Sequence, residues 1–361
     1  MGVSGRYLSR LFLQRLALIV FGFALMALLF DVLNNADNIE KRYGDGFMVV
    51  PRYMLFRLPE MAALITPFAT LLAALLTLLG LAQQNEVLAF KAAGMSFYRM
   101  LLLLMPATLL VAAFHLAVAD QVTPWAKKRL ARYELEKPTD DETNQRDQAK
   151  GVWLRDPNYI VNVTSVQREG RYLSGVSLLR RDASHNIVER IVAGGARYQR
   201  GGQWKFENVI TQVIDPLGPR TVRSEDWVWQ TPLRPGDFFN LAAISTQFTA
   251  RELLVLRTGA TVGTRPGYTY DAWLQRRLAL PAVVIVMLLL AAPVAQARVR
   301  MSSLGARLAA GVALGFLFFI TDGVSQALGE SGAVVPLIAA WAPPLIFASV
   351  AGSILLRIEG L

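Results

Sequence analysis

The chain has 361 residues, 53% hydrophobic and only 18% charged, and contains no cysteine. That balance excludes an ordinary soluble domain in favour of a polytopic membrane protein, and the missing thiols exclude disulfides and thiolate metal sites while leaving the compartment open. The net charge of +10 is expected to flank membrane spans, so nucleic acid is not expected as a partner.

Crossing about 30 Å of hydrocarbon takes roughly 20 apolar residues, and the first such run is residues 11–33. It is too long for a removable signal peptide and lacks the small-residue cleavage site, so it is expected to remain as a span. Asp31, at its end, is expected to cap the helix or reach interfacial water. Residues 31–60 read as an external loop carrying Lys41, Arg42, Arg52 and Arg57 among its acids. The second and third runs are residues 61–82 and 100–119.

Between them lies AQQNEVLAFKAAGMSFYRM, residues 82–100. Val87, Leu88, Phe90 and Lys91 keep helical spacing, Glu86 sits in the first turn where an acid suits the dipole, and Gly94 stops the helix. This is a short amphipathic helix beneath the membrane. It either anchors a turn at the interface or is presented to a cytoplasmic partner.

Residues 120–271 form a polar insert of roughly 150 residues, enough for an independent domain. YIVNV, GVSLL, QWKFENVITQVI and TVRSEDWVWQ are rich in β-branched and aromatic residues and punctuated by Gly, Pro, Asn and Asp. They predict a β-sandwich or jellyroll. AKKRLARYELEKP, breaking at Pro138, and ARELLVLRTG, stopped by Gly259, predict helices that link the insert to the third and fourth spans. Three more runs follow, at residues 278–297, 308–328 and 333–356. Arg6, Arg10, Lys91, Arg99, Arg298, Arg300, Arg307 and Arg357 cluster on one side, which predicts both termini inside and the insert outside the cytoplasm.

No nucleotide-binding loop, zinc-protease or nucleophile-elbow motif is present. His115, inside a span and without a spaced partner, reads as a packed residue before a ligand, and His185 as part of an exposed turn. No metal site is expected. The Asn162-Val163-Thr164 sequon is read as accidental. Asp322, in FFITDGVSQ, is open between a packing role and a place in a polar cavity.

The block LPEMAALITPFATLLAALLTLLGLAQQNEVLAFKAAGMS, residues 58–96, resembles the signature of the lipopolysaccharide export permease family, the LptF and LptG proteins. The three-plus-three spans, the β-rich insert and the closing FITDGV…GAVVPLIAAWAPPLIF agree over essentially the whole chain. GVWLRDPNYIVNV and the proline-bearing last span resemble the LptG branch more than LptF.

The resemblance implies an α+β membrane protein with six transmembrane helices, three and three, around a periplasmic β-jellyroll. Residues 1–120 would hold the first three spans with a coupling helix near residues 84–95, residues 121–270 the jellyroll and its linkers, and residues 271–361 the last three spans. It implies a non-catalytic permease of an ATP-binding-cassette extractor in the bacterial inner membrane. Implied partners are an LptF-type permease, two copies of a cytoplasmic LptB-type ATPase, an LptC-type single-span protein, a periplasmic jellyroll bridge and lipopolysaccharide. No cofactor is implied in this chain, since ATP would bind the ATPase.

Glu86 matches the acid of the family's coupling helix, with Val87, Phe90, Lys91 and Gly94 around it, and would accept charge-assisted bonds from the ATPase. For lipid phosphates the basic candidates are Lys41 and Arg42, with Glu40 beside them, and Lys127, Lys128, Arg129 and Arg132. The second cluster reads equally as a snorkelling helix face. For the acyl-chain wall the candidates are Phe23, Met26 and Phe30 on span one and Phe316 and Phe319 on span five, residues also large enough to face lipid or pack internally. An intramembrane enzyme would need a paired acid, nucleophile or metal set, none of which is evident. A sensor or scaffold with a ligand-binding β domain would need no ATPase.

Overall fold

The computed structural model describes residues 3–37, 39, 47–135, 152–155, 159–167, 171–181, 187–199, 202–215, 218–231, 233–235, 248–257, 266–296 and 304–359. The helices before the sheet are α1 (Val3–Asn34), α2 (Val49–Gln83), α3 (Glu86–Ala92) and α4 (Phe97–Ala117), which runs through a π-helical segment (Val118–Val122) into α5 (Thr123–Leu135). After the sheet come α6 (Ala250–Arg257), α7 (Gly267–Gln296), α8 (Leu304–Glu330) and α9 (Pro336–Glu359). Among the described residues six helices are long and apolar enough to cross a membrane, three before the sheet in the chain and three after it, as expected.

Three boundaries differ from the apolar runs. Helix α2 begins at Val49, so Arg52 and Arg57 lie on the helix and not in a loop. Helix α7 begins at Gly267. The helix expected after the third span is its direct continuation, reached without a break in the chain's helical course. A hydropathy scan stops at charge, but a helix continues wherever its charged side chains find partners. At 35 residues, α2 is about 50 Å long and outruns the hydrocarbon.

The bundle core joins Leu8, Phe12 and Leu16 of α1, Leu71, Leu75 and Leu78 of α2, Met100 and Leu104 of α4, and Val284, Met287 and Leu288 of α7. In lipid such packing rests on close fit, since lipid tails are as apolar as leucine. Gly311 and Gly315 therefore face α2. A Cβ at 311 would collide with Leu75, and one at 315 with Leu71 and Phe68. Prolines inside α2 and α9 leave carbonyls one turn earlier without a helical donor. Neighbouring helices supply it: Ser325 Oγ reaches Ala339 O ahead of Pro343 at 2.8 Å, and His115 Nε2 reaches Ala63 O ahead of Pro67 at 2.9 Å.

The insert's strands are β1 (Val152–Arg155), β2 (Tyr159–Gln167), β3 (Tyr172–Arg181), β4 (Ile187–Gln199), β5 (Gln203–Asp215) and β6 (Gly218–Gln230). They form one antiparallel sheet in sequence order. Among the described strands this is a meander, without the Greek-key crossings of a jellyroll.

The sheet is creased. The ladders skip the same row from β2 to β6: Thr164 against Gly175, Gly175 against Gly194, Gly194 against Asn208, and Asn208 against Glu225. Gly175 and Asn208 hold φ of 62° and 55°. Inward positions change parity across this row. Val176 and Leu178 give way to Leu173 on β3, Ile191 and Ala193 to Ala196 on β4, and Val209 to Phe206 and Trp204 on β5. One apolar lining therefore continues around the fold. On a flat sheet β2 and β6 would lie about 19 Å apart, yet Tyr159 and Trp229 meet at 6.2 Å between ring centroids. The sheet closes on its own side chains, with Trp204 Nε1 donating to Leu233 O at 3.1 Å.

Candidate coupling and lipid-contact sites

The segment between α2 and α4 is specified residue by residue. Asn85 turns the chain with φ of 57° and α3 begins at Glu86. At the other end Gly94 takes φ of 79°, Met95 N donates to Phe90 O at 2.9 Å, and Gly94 N donates to Lys91 O at 3.0 Å. This is a Schellman stop, and it needs glycine because the left-handed conformation penalises a Cβ. Ser96 then caps α4, its Oγ accepting from Arg99 N at 3.3 Å.

Val87 and Phe90 pack against the bundle core, whereas Leu88 is 63% exposed and Lys91 is exposed beside it. Leu88 belongs to the outward face that sequence reasoning left out of the site. The signal was available, because anchors at 87 and 90 put 88 on the opposite side of a helix. Glu86 is half-buried and accepts from Tyr7 Oη at 3.2 Å, which ties α3 to the start of α1.

At the opposite end of the bundle a chain of charges joins three helices. Asp31 of α1 accepts from Tyr53 Oη at 2.7 Å and from Arg57 Nε at 3.3 Å, both on α2. Arg57 Nη1 also meets Glu60 at 2.5 Å, and Glu60 takes Lys127 Nζ of α5 at 2.6 Å. Lys127 is only 7% exposed. Asp31, inside α1, is thus an interhelical partner and not the cap expected of it. Arg57 and Glu60 keep the i,i+3 spacing of a helical pair, but spacing in the sequence carries no signal of the pairing of Asp31 with Arg57 or of Glu60 with Lys127, which join residues far apart in the chain.

Of the remaining basic candidates, Lys128 Nζ pairs with Glu252 of α6 at 2.5 Å. Arg129 is exposed, its guanidinium 5.9 Å from the Trp125 ring, and Trp125 stands beside Phe56. Lys41, Arg42 and the side chain of Arg132 lie outside the described residues, as does His185. Asp322 pairs with Arg276 of α7 at 3.3 Å, which gives it a packing role at that end. Among the described residues no cluster of His, Cys, Asp or Glu forms a metal site.

Phe23, Met26 and Phe30 project from α1 at 39%, 48% and 59% exposure. Phe316 of α8 is exposed although its ring meets Phe68 of α2 at 5.4 Å, and Phe319 is half-buried against Phe68 and Phe318. The exposed apolar surfaces of α1 and α8 are among those a further helix or lipid would cover, with α4 and α9 exposing others such as Phe114 and Leu345.

The family described as "Lipopolysaccharide export system permease LptF/LptG" matches residues 6–357. The "Lipopolysaccharide export system permease protein LptG" of Escherichia coli is 22% identical over 367 aligned residues, covering 99% of this chain and 98% of that protein. The protein of the same description from Haemophilus influenzae is 26% identical over 293, covering 78% of each.

Proposed function

The chain belongs to the lipopolysaccharide export system permease LptF/LptG family, and from that premise we propose that it serves as one half of an ATP-driven extractor of lipopolysaccharide. As an LptG-like permease it is a multi-pass inner-membrane protein and a transporter subunit, not an enzyme. In the proposed assembly an LptF-type permease lies beside it, two LptB-type ATPases dock beneath, and an LptC-type protein and a jellyroll bridge receive the lipid. The termini and α3 face the cytoplasm and the sheet faces the periplasm.

The observation that carries the coupling role is the two-sidedness of α3. Val87 and Phe90 hold it to the core, while Leu88 and Lys91 are presented outward. A helix so anchored passes force in both directions. Glu86, joined to Tyr7, links that contact to α1. ATP is bound and hydrolysed by the partner, and this chain holds no cofactor. The faces of α1 and α8, with Phe23, Met26, Phe30, Phe316 and Phe319, supply the acyl-chain wall. Headgroup contact falls to Arg129, with Lys41, Arg42 and Arg132 as companions, because Lys127 and Lys128 face Glu60 and Glu252.

The test is co-purification with the LptF-type and ATPase partners of a relative, followed by ATP-dependent release of lipopolysaccharide from proteoliposomes. Leu88→Asp and Glu86→Ala should leave the chain folded while ATPase recovery or lipid release collapses. A wild-type chain that never retains the ATPase would sink the reading and favour the sensor alternative.

A further inference from the structure

The sheet joins the membrane helices through two legs, α5 leading in and α6 leading out, and the roots of both, at Ala119 and Asp120 and at Phe248, converge on one buried base. Arg277 of α7 is 8% exposed. Its Nη1 donates to Ala119 O and lies 3.7 Å from Asp120 Oδ1, and its Nη2 donates to Phe248 O at 3.2 Å. Asp120 Oδ1 in turn accepts from Ala250 N at 2.7 Å, capping the first turn of α6. One guanidinium and one carboxylate therefore bind the end of span three, the start of the outgoing leg and span four.

Each component has a local reason. A π-helical segment breaks the α-helical hydrogen-bond pattern and leaves backbone groups for outside partners. Val118–Val122 is such a segment, and it carries both Ala119 and Asp120. Thr249 and Glu252 form a reciprocal capping box, with Thr249 N to Glu252 Oε2 at 2.8 Å and Glu252 N to Thr249 Oγ1 at 3.3 Å. The same Glu252 receives Lys128 of α5, a second tie between the legs. Leu253 and Leu256 of α6 are buried against Phe248, Tyr270, Trp273 and Leu274, so the outgoing leg also lies on α7.

We propose that Arg277 and Asp120 are positioning residues that fasten both legs of the β insert to the fourth span, so that a displacement of α7 is delivered to the sheet. The far end of α7 supports this reading, since Ala291 and Val294 share the core against which Val87 and Phe90 of α3 are anchored. The proposal rests on the transport function above. A chain whose legs are untied should still assemble and still let its partner hydrolyse ATP, but should move less lipid per ATP.

The chain has no cysteine of its own, which allows a clean test in the complete complex. Asp120→Ala, and separately Asp120→Cys with Ala250→Cys, are reconstituted with the partner permease and ATPase. ATP hydrolysis, lipopolysaccharide released and thermal stability are measured together. The expected result is hydrolysis and assembly as in wild type with lipid released per ATP lower by about fivefold, and recovery when the paired thiols are joined by a short dithiol-specific linker. Full release by Asp120→Ala, or no recovery on linking, overturns the brace. So does a loss of release that Glu60→Ala reproduces, since that variant also takes a carboxylate from a nearly buried base but leaves the legs tied. A wild-type complex that hydrolyses no ATP or releases no lipid overturns the transport reading instead.

Discussion

His115 donates from Nε2 to the carbonyl of Ala63 at 2.9 Å, the carbonyl that Pro67 leaves without a helical partner. The histidine is 2% exposed, and its contact joins α4 to the interrupted turn of α2. This accounts for an intramembrane histidine without a ligand. His115→Phe should destabilise the protein by about 1–3 kcal/mol, the cost of a buried unsatisfied carbonyl. Adding Pro67→Ala restores an N–H to that carbonyl and should recover part of the loss. Unfolding in detergent micelles, read as a double-mutant cycle, checks the coupling.

The Asp31, Arg57, Glu60 and Lys127 chain makes an asymmetric prediction. Glu60→Ala removes the carboxylate facing a lysine that is 7% exposed, and should cost up to about 3 kcal/mol. Lys127→Met should be milder, because Glu60 retains Arg57 at 2.5 Å. Equal losses in the two variants, measured by thermal unfolding, would contradict this assignment.

The crease of the sheet predicts opposite responses at its two left-handed positions. At Gly175 a Cβ would meet Thr164, and φ is 62°, so Gly175→Val should cost at least about 1–2 kcal/mol. Asn208 holds φ of 55° with an exposed side chain. Asn208→Gly should be tolerated, since glycine adopts that conformation freely. Limited proteolysis of the insert in the full-length protein reports both.

The contact between the legs carries a pH dependence. Burial alone would raise the Glu252 carboxyl, but hydrogen bonds from Lys128 and Thr249 outweigh it and hold the group below its usual 4.5. A depressed carboxyl contributes stability above its unfolded value and loses it as pH falls through the folded one. Protection of the α6 amides should therefore be complete at neutral pH and decline only below about pH 4.5. The effect is expected to be a few tenths of a kcal/mol, because Glu252 is 42% exposed. Hydrogen exchange across pH should show the acid decline in wild type, and a smaller one in Glu252→Gln.

What sequence reasoning missed follows a pattern. Strand β4, with its central AGG, lacks a continuous β-branched run, and it was not anticipated. The structure explains those residues: Gly194 lies in the crease and Gly195 leaves room for the Tyr172 ring. The early starts of α2 and α7 were hidden by Arg52, Arg57, Glu60, Asp271 and Arg276, charges that end an apolar run without ending a helix. Leu88 was legible from helical spacing, but the inward side of α3 was settled only by the packing of Val87 and Phe90.

Composition and local order by themselves determined six spans, a β-rich insert between the third and fourth, and a short capped helix at residues 86–92. Those features depend on apolar length, residue shape and turn chemistry within a few neighbours, all of which are written consecutively. Tertiary structure alone decided that Glu60 faces Lys127, that Arg277 holds both legs of the insert, and that a single meander folds along one row to cover its own aromatics. These relations join residues tens to more than a hundred positions apart. Their partners are chosen by how helices and strands pack in space, and no local spacing records that choice.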